Sequence, residues 1–429
     1  MLFSGLRHSR YWRTAFFTAA LEVLFLWITL SFTSADTLPV LGVTRSVKLN
    51  TYNNYFFSND AGWTKDQMLQ ALAAKDNIVL HESWNPSIGS SVKSLNPNAK
   101  MYMYYALCVK SLADVDGISN DASTHQLTPL TKAIIDANDW WLRNKLGQLV
   151  PAPGGNCYYL DVGRPGFKQA YLNGLLSRIS GRGYNGMVFD FWMPGGPVGV
   201  APWRTPAGAY NPAYRTDQDW FTRAWQPFIK YVMSGLRSAG YRVIGNCAGE
   251  YISGSYYCDW QRTQIDGTVY EQWAVDWPSN GGNWLSPSTI STRIAHFNAD
   301  PLEAWTADYG LRMSDPIYDQ KLKVSLAMYY IAVPSSQTYR SFGLAGNLKI
   351  FWEDVWDLQI GTPAAPSVKS ATSYFWSRKY THGLVLLNYE PTKSIAYTLP
   401  HAYVDEHGTT YSGTINVAPH TGLILADCN

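Results

Sequence analysis

The sequence predicts an α/β fold, a (β/α)8 TIM barrel followed by a small C-terminal antiparallel β-sandwich domain. Strand-like and helix-like segments alternate from about residue 43 to about residue 345, as parallel βα units require. About eight such strands in about 300 residues suit a closed barrel better than an open doubly wound sheet. Past Gly361-Thr-Pro-Ala-Ala-Pro366 the helical period stops, and short strands separated by turns take over. No Gly-x-Gly-x-x-Gly follows the first strand, which argues against a dinucleotide fold.

Barrel strands are expected at residues 45–52, 78–81 and 101–107, with a short extended piece at 158–162. Residues 167–180 carry apolar side chains at Phe167, Ala170, Tyr171, Leu175 and Ile179, one face of a helix. Gly181 and Gly183 end it, and Pro165 suits its first turn. Asn185-Gly-Met-Val-Phe-Asp-Phe-Trp192 reads as a buried strand that runs apolar into a carboxylate. A second unit repeats the rhythm. Thr216 is placed to cap a helix running to Ala239, Pro227 is expected to kink it, and 241–245 is again a strand. Further strands fit 267–273, 302–305 and 337–342, and further helices fit 287–298 and 319–331. In the C-terminal part strands fit 383–388, 394–399, 410–415 and 421–426. The expected division is 1–35 as signal peptide or N-terminal anchor, 36–362 as barrel and 363–429 as β domain.

The chain has 429 residues and a formal net charge of +2, so no broad attraction to nucleic acid is expected. Aromatic residues make up 15% of the chain, as much as the charged ones, with 18 Trp and 29 Tyr. Packing accounts for most of them, and the remainder suit the flat faces of sugar rings. Arg7, Arg10 and Arg13 precede a mostly apolar run from Ala15 to Phe32, then Thr33-Ser-Ala35. That is the layout of a secretory signal peptide, with an uncleaved membrane anchor as the competing reading. The expected location is therefore outside the cytoplasm, and a membrane is a partner only if the segment stays uncleaved. The five Cys form no Cys-x-x-Cys, and the histidines, His81 among them, show no metal spacing. No metal or organic cofactor is expected.

An acid costs several kcal/mol to bury unless it is paired or useful. Asp190 ends the fourth expected strand, and Glu271, in Asp266-Gly-Thr-Val-Tyr-Glu-Gln-Trp-Ala274, ends the sixth. Catalytic groups of barrel enzymes sit at such C-terminal strand ends. Two carboxyls sharing a cleft supply the nucleophile and the general acid that cleave a glycosidic bond. Capping a loop, or pairing with an Arg, is the structural alternative for either acid. Glu250, after the fifth strand, rivals Glu271 as acid/base. Candidate substrate-binding residues are Trp192, Trp273, Trp305, Arg164, Asp308 and Glu82, with Tyr270 alongside. For the tryptophans packing is the alternative, and for Arg164 it is pairing with Asp161.

Tyr159-Leu-Asp-Val-Gly-Arg-Pro-Gly-Phe, then a helix, then Gly183-Tyr-Asn-Gly-Met-Val-Phe-Asp190 resembles secreted TIM-barrel glycoside hydrolases of a hypothetical glycoside-hydrolase-like family. That family lies near the α-amylase and α-galactosidase type barrels. The C-terminal Gly383-Leu-Val-Leu-Leu-Asn388 is similar to the small β domain such enzymes carry. The resemblance covers roughly residues 43 to 425. It implies that Asp190 is the nucleophile, and that the acid/base stands on the fifth strand (Glu250) or the sixth (Glu271). Asn185 stands where the pattern commonly has Asp. The expected function is retaining hydrolysis of O-glycosidic bonds in an oligo- or polysaccharide by an Asp/Glu carboxylate pair. A non-catalytic carbohydrate-binding barrel and a membrane-anchored envelope factor are the alternatives.

Overall fold

The computed structural model describes residues 38–53, 64–81, 87–106, 110–112, 129–143, 146–149, 157–190, 217–246, 260–276, 282–308, 311, 315–334, 340–345 and 352–428. Two compact units are present, Met1–Leu38 and Pro39–Asn429. All that follows concerns the second.

Eight parallel strands close into a barrel. They are β1 (Leu49–Asn53), β2 (Asn77–His81), β3 (Lys100–Ala106), β4 (Gly186–Asp190), β5 (Arg242–Gly245), β6 (Gly267–Glu271), β7 (Glu303–Ala307) and β8 (Arg340–Ala345). An antiparallel pair, Lys110–Leu112 with Cys157–Tyr159, stands outside the barrel between β3 and β4. Asp190 thus ends the fourth barrel strand and Glu271 the sixth. β7 and β8 begin and end later than their sequence patterns suggest.

The register fixes the height of each residue. It runs Asn50–Asn77–Lys100, Tyr102–Gly186–Arg242, Ile244–Gly267–Glu303, Ala304–Arg340 and Phe342–Leu49. Followed once around from Asn50, it returns to β1 eight residues before its start. That is a shear of 8. Each step from one strand to the next therefore raises the level by about one residue above the register partner.

This rule sorts the inward positions into layers of four from alternate strands. Asn50, Tyr102, Ile244 and Trp305 form one layer. Val79, Val188, Val269 and Gly343 lie above it, and the layer of Tyr104 and Ala307 above that. Val79, Tyr102, Tyr104, Val188, Ile244, Val269, Trp305 and Ala307 form one buried apolar cluster, as this layering requires. Gly343 has to be Gly, because a Cβ there would lie 1.5 Å from Asn50 Oδ1. At the lower end Arg242 and Glu303 pair at 2.7 Å. Burial pushes the Glu303 carboxyl up, and the Arg242 charge opposes the rise.

The helices are built by local signals. α1 (Lys65–Ala73) opens on a capping box in which Thr64 and Gln67 satisfy each other's backbone N–H. α2 spans Ser87–Leu95 and α3 spans Lys132–Ala137. α4 (Phe167–Ile179) starts at left-handed Gly166, so Pro165 lies in the turn before the helix and not in its first turn. α5 (Gln226–Ser238) follows a helical turn, Asp217–Trp220, and a π turn, Phe221–Trp225. In that π turn Gln226 N–H reaches Phe221 O, which is how the helix accommodates Pro227 without an N–H. Thr216 lies outside the described residues. α6 (Pro287–Ala299) is capped by Ser286, whose Oγ accepts from Thr289 N at 3.1 Å. α7 (Tyr318–Ala332) is buried along most of its length.

Beyond the barrel stand β9 (Val368–Lys369), β10 (Phe375–Tyr380), β11 (Gly383–Asn388), β12 (Ile395–Thr398), β13 (Tyr403–Val404), β14 (Thr410–Tyr411), β15 (Thr414–Val417) and β16 (Thr421–Asp427). A six-stranded sheet runs β9-β10-β11-β16-β13-β14, and β12 pairs with β15. The expected strand at 410–415 is two short strands, β14 and β15, parted by left-handed Gly413. This domain packs on α7. Arg378 of β10 is 2% exposed and donates to Tyr330 O, Ile331 O and Val333 O, capping the C-terminal end of α7. Among the described residues no helix is long and apolar enough to cross a membrane.

Candidate active site

The shear brings the two strand-end acids to one level. Phe189 pairs with Gly245, and Gly245 with Thr268, so the register line through Asp190 reaches Val269 on β6. Two strands on, the same height is two residues further, which is Glu271. By the same rule His81 of β2 and Ala345 of β8 complete this layer. Period-2 alternation from Val269, inside the barrel, gives position 271 the interior face. The top level thus holds the positions of two acids and a histidine, next above that of Tyr104 and Ala307. His81 was set aside in the sequence as one more histidine. Its signal was the same as that of the acids, an apolar run ending on a polar residue.

Glu271 is the last residue of β6 and is 8% exposed. The strand was expected to run to Trp273. It stops because Gln272 takes a left-handed conformation, φ 51°. A non-glycine residue there costs about 1–3 kcal/mol and persists only when its surroundings hold it. Four groups hold the residues after it. Trp273 Nε1 donates to Ser325 O at 3.0 Å, and Arg293 donates to Trp273 O at 3.4 Å. Asp308 Oδ2 accepts from Ala274 N at 2.9 Å, and Ala274 O accepts from Tyr389 Oη at 2.7 Å.

Asp308 is therefore no sugar ligand in this structure. It is fully buried beyond β7, accepts also from Ser325 Oγ at 2.8 Å, and ties the β6 turn to β7 and α7. Burial pushes its carboxyl up to about 6, opposed by the Ala274 and Ser325 hydrogen bonds. Trp273 and Trp305 are fully buried, so both are packing residues and not stacking platforms. Trp273 packs on Phe297 at 4.8 Å, and Trp305 fills the barrel, donating to Glu303 Oε1 at 2.7 Å. Tyr270 faces the helices and donates to Asp300 at 2.7 Å. Arg164 pairs with Asp139 at 3.2 Å and Asp161 at 3.5 Å, which is the structural role. Glu82, Trp192 and Glu250 lie outside the described residues.

Comparison with known proteins agrees with this architecture. No curated protein is similar to the chain in sequence. A noncanonic maltogenic alpha-amylase from Thermotoga neapolitana is similar in structure, with a TM-score of 0.52 at 9% identity over 90% of this chain and 99% of that one. A GH31 dextranase from Flavobacterium johnsoniae, complexed with isomaltotriose, gives 0.50 at 11% identity over 91% of this chain. The match covers 52% of the dextranase, about half its length. At these identities the likeness is one of fold. The family is given by sequence: residues 93–384 match the model of hypothetical glycosyl hydrolase family 15. With a closed eight-stranded barrel and a C-terminal β domain, the chain belongs to hypothetical glycosyl hydrolase family 15 and is an enzyme of the glycosidase class.

Proposed function

We propose that this enzyme cleaves O-glycosidic bonds of an oligo- or polysaccharide with retention of configuration. Asp190 is the nucleophile and Glu271 the general acid/base. The observation that carries the reading is the shared level of the two positions, on alternate strands, at the C-terminal end of the barrel. Alternate strands lie about 9–10 Å apart at the backbone, and inward side chains narrow that gap toward the spacing two cooperating carboxyls need.

The roles follow from the chemistry. Glu271 gives a proton to the leaving oxygen. Asp190 then meets the oxocarbenium-like centre and forms the glycosyl ester. Glu271, now a carboxylate, takes a proton from water, which releases the sugar and restores Asp190. Glu250 is the competing acid/base, and its position after β5 is the alternative that mutation separates.

Maltose-type and isomaltose-type oligosaccharides, after the maltogenic amylase and the isomaltotriose-bound dextranase, are the first substrates to try. Hydrolysis of this panel is followed by 1H NMR of the first anomer released. Retention supports the double-displacement roles, and inversion would reassign Asp190 as a base. Export, with residues 1–35 removed, is part of the same reading. The mass of the mature N-terminus tests it.

A further inference from the structure

The hydrogen bond from Tyr389 to Ala274 crosses from the C-terminal β domain to the turn that follows Glu271. Three of the four groups holding that turn belong to the barrel: Arg293 of α6, Ser325 of α7 and Asp308 beyond β7. The fourth, Tyr389, directly follows β11. Its ring is fully buried and set edge-on to Trp284 at 5.9 Å and to His420 at 5.1 Å. Trp284 in turn bridges to Val275, the residue after Ala274, and stacks on His420 at 4.5 Å. The β domain therefore holds the β6 turn twice, through the Tyr389 hydroxyl on Ala274 and through the Trp284–His420 stack beside Val275.

We infer that Tyr389 is a positioning residue for Glu271, so that the C-terminal β domain is part of the catalytic apparatus. The inference rests on the reading of Glu271 as acid/base. A strained residue, Gln272, separates Glu271 from its tethers. Release of one tether lets the turn relax and carries Glu271 with it. A shift of about 1 Å in a reacting group costs about 100-fold in rate. The loss falls on proton transfer by Glu271, to the leaving group in the first step and from water in the second, and spares substrate binding.

The test compares Tyr389→Phe with Tyr380→Phe and Glu271→Gln. Tyr380 Oη also donates across the domain contact, to Tyr330 O at 2.7 Å, but it holds α7 and not the β6 turn. The probes are phenyl and 2,4-dinitrophenyl α- and β-glucosides, galactosides and xylosides. Phenolate is a poor leaving group that needs a proton, whereas dinitrophenolate leaves without one. Tyr389→Phe is expected to lower kcat/KM on the phenyl glycoside about 10–100-fold and to keep kcat/KM for the dinitrophenyl glycoside, which reports only the step that needs no proton, within about 3-fold. Tyr380→Phe should follow the wild type on both, and Glu271→Gln should lose phenyl cleavage more deeply than Tyr389→Phe. Equal phenyl-to-dinitrophenyl ratios in Tyr389→Phe and the wild type would overturn the positioning role while leaving that of Glu271 intact. Wild-type phenyl cleavage by Glu271→Gln would overturn the acid/base reading and the inference with it. Should Tyr389→Phe fail to fold, His420→Asn loosens the same stack and keeps the left-handed backbone. It then carries the same expectation at about 3–10-fold.

Discussion

Tyr102 of β3 and Trp305 of β7 meet edge to face across the barrel axis, with ring centroids 4.9 Å apart. They belong to one layer, and their contact is what the shear of the barrel demands of strands four apart. It fills the barrel interior three layers below the level of Asp190 and Glu271.

Trp305→Ala should therefore act on stability. A cavity of that size in a sealed layer costs about 3–5 kcal/mol. Trp305→Phe, which strands Glu303 Oε1, should cost about 1–3 kcal/mol. Urea denaturation measures both. A raised KM with unchanged stability would return Trp305 to the role of a sugar platform.

Asp308 gives a pH-dependent expectation. Its folded value, about 6, lies above its ordinary value of 3.8, chiefly because burial disfavours the charge. The folded state thus holds this proton more tightly than the unfolded chain does. The stability that proton contributes is complete below about pH 4 and is lost as pH rises through about 6. Asp308→Asn has no proton to lose, so its stability relative to the wild type should improve by about 2–3 kcal/mol between pH 4 and pH 7. Thermal melts across that range give the difference. Parallel curves for the two proteins would show that Asp308 does not titrate in this way.

Arg378 predicts how firmly the β domain is attached. Its guanidinium is buried against three carbonyls at the end of α7, with its pKa lowered by burial. Arg378→Met should cost about 2–4 kcal/mol by taking this donor from Ile331 O and Val333 O and leaving Tyr330 O to Tyr380 Oη alone. A denaturation curve that splits into two transitions would show that the contact couples domain and barrel. A loss under about 0.5 kcal/mol would show that the cap is dispensable.

The sequence made the barrel legible because its interior strands are short apolar runs bounded by turns. The two acids stood out because each ends such a run. The pairing of Asp190 with Glu271 at one level was not legible, since shear is a property of register between strands distant in sequence. β10 was missed for a related reason: Phe375-Trp-Ser-Arg-Lys-Tyr380 hides a buried Arg378 that only the carbonyls of α7 explain. Trp273, Trp305 and Asp308 lie at or near strand ends, so the sequence leaves them open between ligand contact and a packing or loop role. In each case the partner that claims the side chain lies on another element: Ser325 for Trp273 and Asp308, Tyr102 for Trp305.

The central claim is that Asp190 attacks the sugar. Fluorinated glycosyl fluorides, whose leaving group departs without a proton and whose esters turn over slowly, trap such a nucleophile. Incubation with a panel of them, followed by peptide mapping of the labelled protein, tests the claim directly. A single glycosyl ester is expected on Asp190, absent from Asp190→Asn and formed still in Glu271→Gln. A label on another carboxylate, or an inverted product with no label, would contradict it.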